Sequence, residues 1–270
     1  MSDTAFTDMQ SKPIRAAAEA LSRAKRVAVF TGAGMSAESG INTFRDPEVG
    51  VWKNKIALYL FGTPYGWRWT PGWGWSNYRR FHEPIFKAQP NAGHYALANM
   101  AAMLGIPSEN VKIATQNVDY LHQRAGNPPE QVFEVHGSVF RHRCVKNGHP
   151  IDIPKDQPLP EKQPKCAVKG CGSSARPDAV LFTETLPEDQ WTGAEKVMRE
   201  LQRGDVLLVI GTTGQVYPAA GLPDMVRKGV TKIELNIEPS NHTAHMDIFV
   251  KESSAVSLPK ILEEAKKLKS

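Results

Sequence analysis

The residues able to do chemistry fall into four groups. The three cysteines, Cys144, Cys166 and Cys171, sit close together, with His142 and His149 nearby. Cys166-x4-Cys171 reads as half of a structural zinc site and Cys144 as a third ligand, with His149 or His142 as the fourth donor. A lost site whose loop is held by packing is the alternative. The second group is TGAGMSAESGINTFRD (31–46), which follows the apolar run RVAVF (26–30). Gly32, Gly34 and Ala37 fit G-x-G-x-x-G/A, a phosphate-binding turn after a strand. Yet Gly40 and Asn42 do not suit a helix interior, so the segment runs past the point where a plain dinucleotide loop ends. The third group is Gln116, Asn117 and Asp119, two amides and a carboxylate on one loop. They suit an amide or ribose ligand, or cap the helix that follows. The fourth is His136, at a strand end before Gly137. There a side chain titrating near neutrality is placed for general-base work, or for a structural role.

These groups need a scaffold that gathers them. PIRAAAEALSRAK (13–25) predicts a helix, as do NAGHYALANMAAML (91–104), with Asn91 as N-cap, and LPKILEEAKKL (258–268). RVAVF (26–30), VKIAT (111–115), QVFEV (131–135), VLLVIGTT (206–213) and KIELN (232–236) predict nearly continuous apolar strands. Strands and helices in this order predict an α/β fold, a Rossmann-like parallel sheet with helices on both faces. Polar residues follow the strand ends five times: at 31–34, 116–119, 136–137, 211–213 and 236–238. Ligands bind along that edge of open α/β sheets.

Two segments break the pattern. Residues 46–90 hold five of the six tryptophans among many Gly and Pro, and read as an irregular aromatic insert with short helices. It either covers a cleft or forms a small satellite core. Residues 144–171, rich in Pro and Lys, read as a loop-rich module. The chain is expected to be one catalytic domain over 1–270. Its larger part covers about 13–45, 86–138 and 179–270, and its smaller module about 46–85 and 139–178.

Composition sets outer limits. The formal net charge of +5 suits an acidic ligand such as a dinucleotide, but is too diffuse to predict direct nucleic-acid binding. No apolar run reaches membrane-spanning length, so no membrane partner is expected. The start, MSDTAFTDMQSKPIR, has no apolar signal region, and a cytoplasmic location is expected. So is a monomer.

In order, GAGMSAESGINTFR, GVW (50–52), PNAGH (90–94), TQNVDYLHQRAG (115–126), EVHG (134–137), CAVKGC (166–171), RPDAVLF (176–182), GTTGQVYPAA (211–220) and LNIEPS (235–240) resemble the sirtuins, NAD-dependent protein deacylases. The resemblance covers about residues 20–268. It implies that Gly32, Ala33, Ser36, Thr43, Phe44 and Arg45 contact NAD, and that Gln116, Asn117 and Asp119 line the nicotinamide and ribose pocket. It further implies roles at the phosphates and riboses for Gly211, Thr212, Thr213, Asn236 and Glu238, with Ala255 near the adenine. His136 is the implied general base, with Asn117 beside it at the reacting centre, and 139–178 the implied zinc module. The implied reaction removes an acyl group from protein lysine, giving nicotinamide, O-acyl-ADP-ribose and free lysine. The alternative is a mono-ADP-ribosyltransferase or NAD glycohydrolase on the same scaffold.

The acceptor side departs from the family. In the desuccinylase-like class a Tyr-x-x-Arg pair binds the acyl carboxylate; here Tyr78 is kept and Phe81 stands at the Arg. A more apolar acyl pocket and weak desuccinylation are expected, unless Arg80 swings in. Val180 and Phe182 belong to the implied substrate segment, in which Thr183 replaces a Gly. Asn42 replaces a Pro, Asp178 a common His, Thr213 a common Ser, and one zinc cysteine is missing.

Overall fold

The structure is a computed structural model that describes residues 3–41 and 55–269. The chain begins with helix α1 (Asp3–Arg23), strand β1 (Val27–Thr31) and a 3-10 segment, Ala33–Ser39. Helices α2 (Lys55–Gly62), α3 (Pro64–Trp69), α4 (Pro71–Lys87) and α5 (Ala92–Leu104) follow. Next come β2 (Val111–Thr115), the short helix α6 (Leu121–Arg124), β3 (Val132–Glu134), β4 (Gly137–Cys144), β5 (Pro150–Ile151) and β6 (Ala175–Ala179). Helix α7 (Glu188–Glu200), strands β7 (Val206–Ile210), β8 (Thr231–Asn236) and β9 (Ile248–Lys251), and helix α8 (Ser254–Lys269) complete it.

Six strands form one parallel sheet in the order β3-β2-β1-β7-β8-β9. β1 lies at its centre, with Val27 opposite Val111 on one side and Val206 on the other. Its residues are all buried, because helices cover both faces. Alternation then divides them. Val27 and Val29 join Leu21, Leu97 and Leu262 in the core under α1, α5 and α8. Ala28 and Phe30 join Ala194 and Met198 of α7 on the other face.

A second, antiparallel sheet, β5-β4-β6, packs with α2–α4 around a separate aromatic core of Phe61, Trp67, Trp75, Tyr78, Val139 and Phe140. The aromatic insert is therefore helical where it is described, and Trp67 and Trp75 join its satellite core, whereas Trp69 and Trp73 are exposed. Pro71 occupies the first turn of α4, where its missing N–H costs nothing. Gly74 lies against the Trp67 ring, 3.2 Å from where its Cβ would be. Residues read as breakers are thus a helix start and a packing contact. α1 likewise begins at Asp3, with Pro13 inside it, rather than at 13. The last sheet strand, β9, and helix α7 had no counterpart in the sequence reading.

Candidate active site

A cavity of about 1340 Å³ opens along the C-terminal edge of the parallel sheet and reaches the aromatic core. All five of the polar strand-end loops contribute to its lining. Gly32 donates its N–H to Ile210 and Gly34 to Gly211, at 2.9 and 2.8 Å. A Cβ on Gly32 would stand 2.8 Å from the Gly211 carbonyl oxygen, and one on Gly34 2.8 Å from the Gly211 Cα. Gly211 itself has φ +59°, a region side chains rarely adopt. The glycines therefore serve first to let two loops cross at backbone contact. The Ala33 N–H, at the start of the 3-10 segment, belongs to its unpaired first turn.

Behind this wall the polar groups hold one another. Ser36 donates to Asp119 Oδ2 at 2.6 Å, so its oxygen accepts from Asn117 Nδ2 at 3.1 Å. That assignment leaves Asn117 Oδ1 as the amide's remaining acceptor. Asp119 Oδ1 also accepts from the Leu121 N–H, the first amide of α6, at 3.0 Å. Burial pushes the Asp119 carboxyl up, against the Ser36 hydroxyl and the Leu121 amide. Ser36 and Asp119 are buried and do not line the cavity, whereas Asn117 and Gln116 do.

His136 lines the same wall. Its Nδ1 lies 3.0 Å from the Gln116 carbonyl oxygen. A carbonyl only accepts, so Nδ1 carries the proton and Nε2 keeps its lone pair. Burial holds the imidazole pKa below its ordinary value, with the Gln116 carbonyl opposing the shift. Gln116 is fixed in turn: its Nε2 donates to Thr212 Oγ1 at 3.0 Å, and Asn236 Nδ2 donates to the Thr212 carbonyl at 2.9 Å. A chain of hydrogen bonds thus runs from β8 through the loop after β7 to the histidine, a relay with no sequence signal.

Of the other residues singled out, Gly211, Thr213 and Glu238 line the cavity, Glu238 from an exposed position paired to Lys251 at 3.2 Å. Ala255 is half-buried; the cavity wall there is made by Ser253 and Ser254. Thr43, Phe44 and Arg45 lie outside the described residues, as does Asn42. Tyr78, Phe81, Val180 and Phe182 line the far end. There the Tyr78 hydroxyl is already committed: it donates to the Val139 carbonyl at 2.5 Å and accepts from His142 Nε2 at 3.0 Å. Phe81 meets Phe61 edge-on at 5.9 Å, and Arg80 is exposed. Phe61, Val118 and Val139 join this end without having stood out in the sequence.

Away from the cavity, Cys144, His149, Cys166 and Cys171 place one ligand atom each within 4.8 Å of one another. Two edges are resolved: Sγ to Sγ from Cys144 to Cys171 is 3.7 Å, and Cys166 Sγ to His149 Nδ1 is 3.4 Å. A tetrahedron with Zn–S bonds of about 2.3 Å has edges of about 3.8 Å, shorter where nitrogen replaces sulfur. The cluster fits structural zinc, which would tie the end of β4 to the 166–171 turn.

The Sir2 family model matches residues 32–218, and the chain belongs to that family. It is 41% identical over 251 residues to NAD-dependent protein deacylase 2 of Pyrobaculum aerophilum, covering 93% of this chain and 95% of that protein. It also superposes on the crystal structure of a Sir2 homologue–NAD complex, with TM-score 0.81 and 32% identity over 97% of this chain and 96% of the other. Sir2Af2 bound to a myristoylated histone peptide gives TM-score 0.71 and 32% identity, over 96% and 98%.

Proposed function

We propose that the protein is an NAD-dependent protein-lysine deacylase with His136 as general base. The observation that carries this reading is the His136–Gln116 pair. It leaves an unprotonated Nε2 at the wall of a cavity that has strand-end loops on one side and an apolar recess on the other. The deacylase relatives and the NAD complex of a Sir2 homologue support it.

When bound, NAD would supply a ribose activated by its nicotinamide leaving group, with a hydroxyl to accept the acyl group, one water being consumed as lysine is released. The chain's residues do the rest. Ala33, Gly211, Thr212 and Thr213 present backbone and hydroxyl groups to the phosphates, and Asn236 and Glu238 face the adenosine ribose. Asn117, held by Ser36, offers Oδ1 to the reacting ribose. His136 takes a proton at Nε2 from a ribose hydroxyl, and returns it through the same atom as lysine leaves. The buried amides and the neutral imidazole are fixed beforehand, so little reorganisation accompanies charge development.

Phe61, Tyr78, Phe81, Val118, Val139 and Leu181 form the recess that receives the acyl chain, and Val180 and Phe182 flank the peptide. A mono-ADP-ribosyltransferase or NAD glycohydrolase would need no such recess. No Lys or Arg stands among the described residues that line the cavity. The acyl group it suits is therefore uncharged, as the myristoyl group on the Sir2Af2 peptide is. The test is nicotinamide release: it should require an acylated peptide as well as NAD. Equal release without peptide would indicate the glycohydrolase instead.

A further inference from the structure

The cavity wall between β6 and α7 contains a strained turn. Thr183 has φ +75°, in the left-handed region that a β-branched residue seldom occupies. Such a conformation persists only when neighbouring contacts over-determine it. Here the neighbour is Glu184. Its Oε2 accepts from the Leu181 N–H at 3.0 Å and from Arg143 Nη2 at 3.1 Å, while Oε1 accepts from Arg176. Its own N–H donates to the Leu181 carbonyl at 3.0 Å, closing the turn. On either side, Val180 donates to the His136 carbonyl at 2.9 Å and Phe182 to the Gly62 carbonyl at 2.8 Å. The segment therefore joins the proposed base to the aromatic recess, and one carboxylate fixes its shape.

The arginines are not loosely placed. Arg176 is buried, and Arg143 also reaches Asp178 Oδ1 at 3.2 Å. Asp178 Oδ2 takes Arg141 Nε at 3.3 Å, and Arg141 continues to Glu134 on β3. Glu184 is thus the last member of an ion-pair chain that begins on the parallel sheet and crosses the small sheet. Charge-assisted bonds of this kind are the strong ones, and they hold geometry as well as energy.

We infer that Glu184 is a positioning residue for the acyl-peptide. Through Leu181 it holds Thr183 in its strained form, and so sets the line of Val180 and Phe182 against which the peptide lies. This rests on the deacylase reading. If it holds, loosening the clamp changes how the peptide binds and leaves NAD binding alone. Replacing the strained residue by one that tolerates positive φ should make the clamp less necessary.

The experiment compares wild type, Glu184→Gln, Arg143→Ala, Thr183→Gly and the Thr183→Gly/Glu184→Gln double variant, with NAD and a decanoyl-lysine peptide. Glu184→Gln and Arg143→Ala are expected to raise KM for the peptide about tenfold, with KM for NAD within twofold of wild type. The double variant should recover most of that loss. Hydrogen exchange of residues 180–186 in the free proteins gives a readout without substrate: faster in both single clamp variants, and slower again in the double variant. Arg143 is the more exposed partner, so its variant keeps the test open should Glu184→Gln fail to fold. Unchanged peptide KM, an equal rise for NAD, or no recovery in the double variant would overturn the inference. A wild-type enzyme that turns over no acyl-peptide would instead remove the deacylase reading beneath it.

Discussion

His136 gives its Nδ1 proton to the Gln116 carbonyl at 3.0 Å, and this single contact decides which imidazole nitrogen can act as a base. Burial lowers the imidazole pKa from its ordinary 6.5, with the Gln116 carbonyl pulling the other way. The neutral, active form therefore persists to lower pH. The acid limb of kcat/KM should fall below pH 6.5, and activity should be lost only as pH drops through that limb. Gln116→Ala keeps the carbonyl but removes the brace to Thr212, and should lower kcat without abolishing activity. A limb above 6.5 would mean that a different group is titrating.

The zinc cluster predicts a metal content. Purified protein should carry about one zinc per chain by plasma mass spectrometry. Cys144→Ser should lose it, since Cys144 is buried and central to the site. Because metal binding is linked to folding, strong chelators should lower the thermal midpoint of the wild type and leave that of Cys144→Ser unmoved.

Buried histidines predict acid sensitivity. Burial lowers His82, His94 and His142 from 6.5 to about 4, and lowers His122 well below its ordinary value. Each folded-state value lies below the unfolded one, so the unfolded chain binds more protons between them. Their contribution is complete above pH 6.5 and is lost as pH falls toward 4. The loss is about 1.4 kcal/mol per pH unit for each group. Urea unfolding from pH 7.5 to 5 should show this slope, and His82→Gln should reduce it by one group's share.

The recess predicts acyl preference. Seating a succinyl carboxylate among Phe61, Phe81 and Val139 without a cation leaves a desolvated charge unpaired, at a cost of several kcal/mol. The ratio of kcat/KM for decanoyl-lysine over succinyl-lysine should exceed about 100-fold, since about 2.7 kcal/mol corresponds to that factor. Arg80 is exposed, Arg79 is half-buried outside the cavity lining, and Phe81 rather than an arginine lines the recess.

The legible part of the fold is what short-range pattern encodes. β1, β2, β7 and β8 are apolar runs buried on both faces, so their positions and parallel order follow from periodicity and from the helices between them. Asn91 caps α5 as its type and place predict, accepting from the Gly93 and His94 amides. Helix α7 was not legible because Gly193 stands in its middle. That glycine is required by packing, since its Cβ would lie 2.2 Å from the Phe133 ring of β3. Nothing in the local sequence states that contact. β5 is too short to carry a period, with two residues, and β9 has only four.

The site divides in the same way. His136 and the strand-end loops that line the cavity are legible because they follow strands. The three cysteines are legible as a group because their spacing is informative by itself, whereas the structure is what brings His149 rather than His142 to them. The Tyr78–His142 bond, the Thr212–Gln116 brace and the Glu184 clamp were not found, since each joins residues from different elements.

The most direct test of the central claim is mass spectrometry of wild type and His136→Ala, incubated with NAD and decanoyl-lysine peptide. Wild type is expected to give nicotinamide, free lysine peptide and O-decanoyl-ADP-ribose in equal amounts, with a loss of about 10²–10⁴-fold in the variant. Consumption of NAD with the peptide still acylated, or full turnover by His136→Ala, would contradict it.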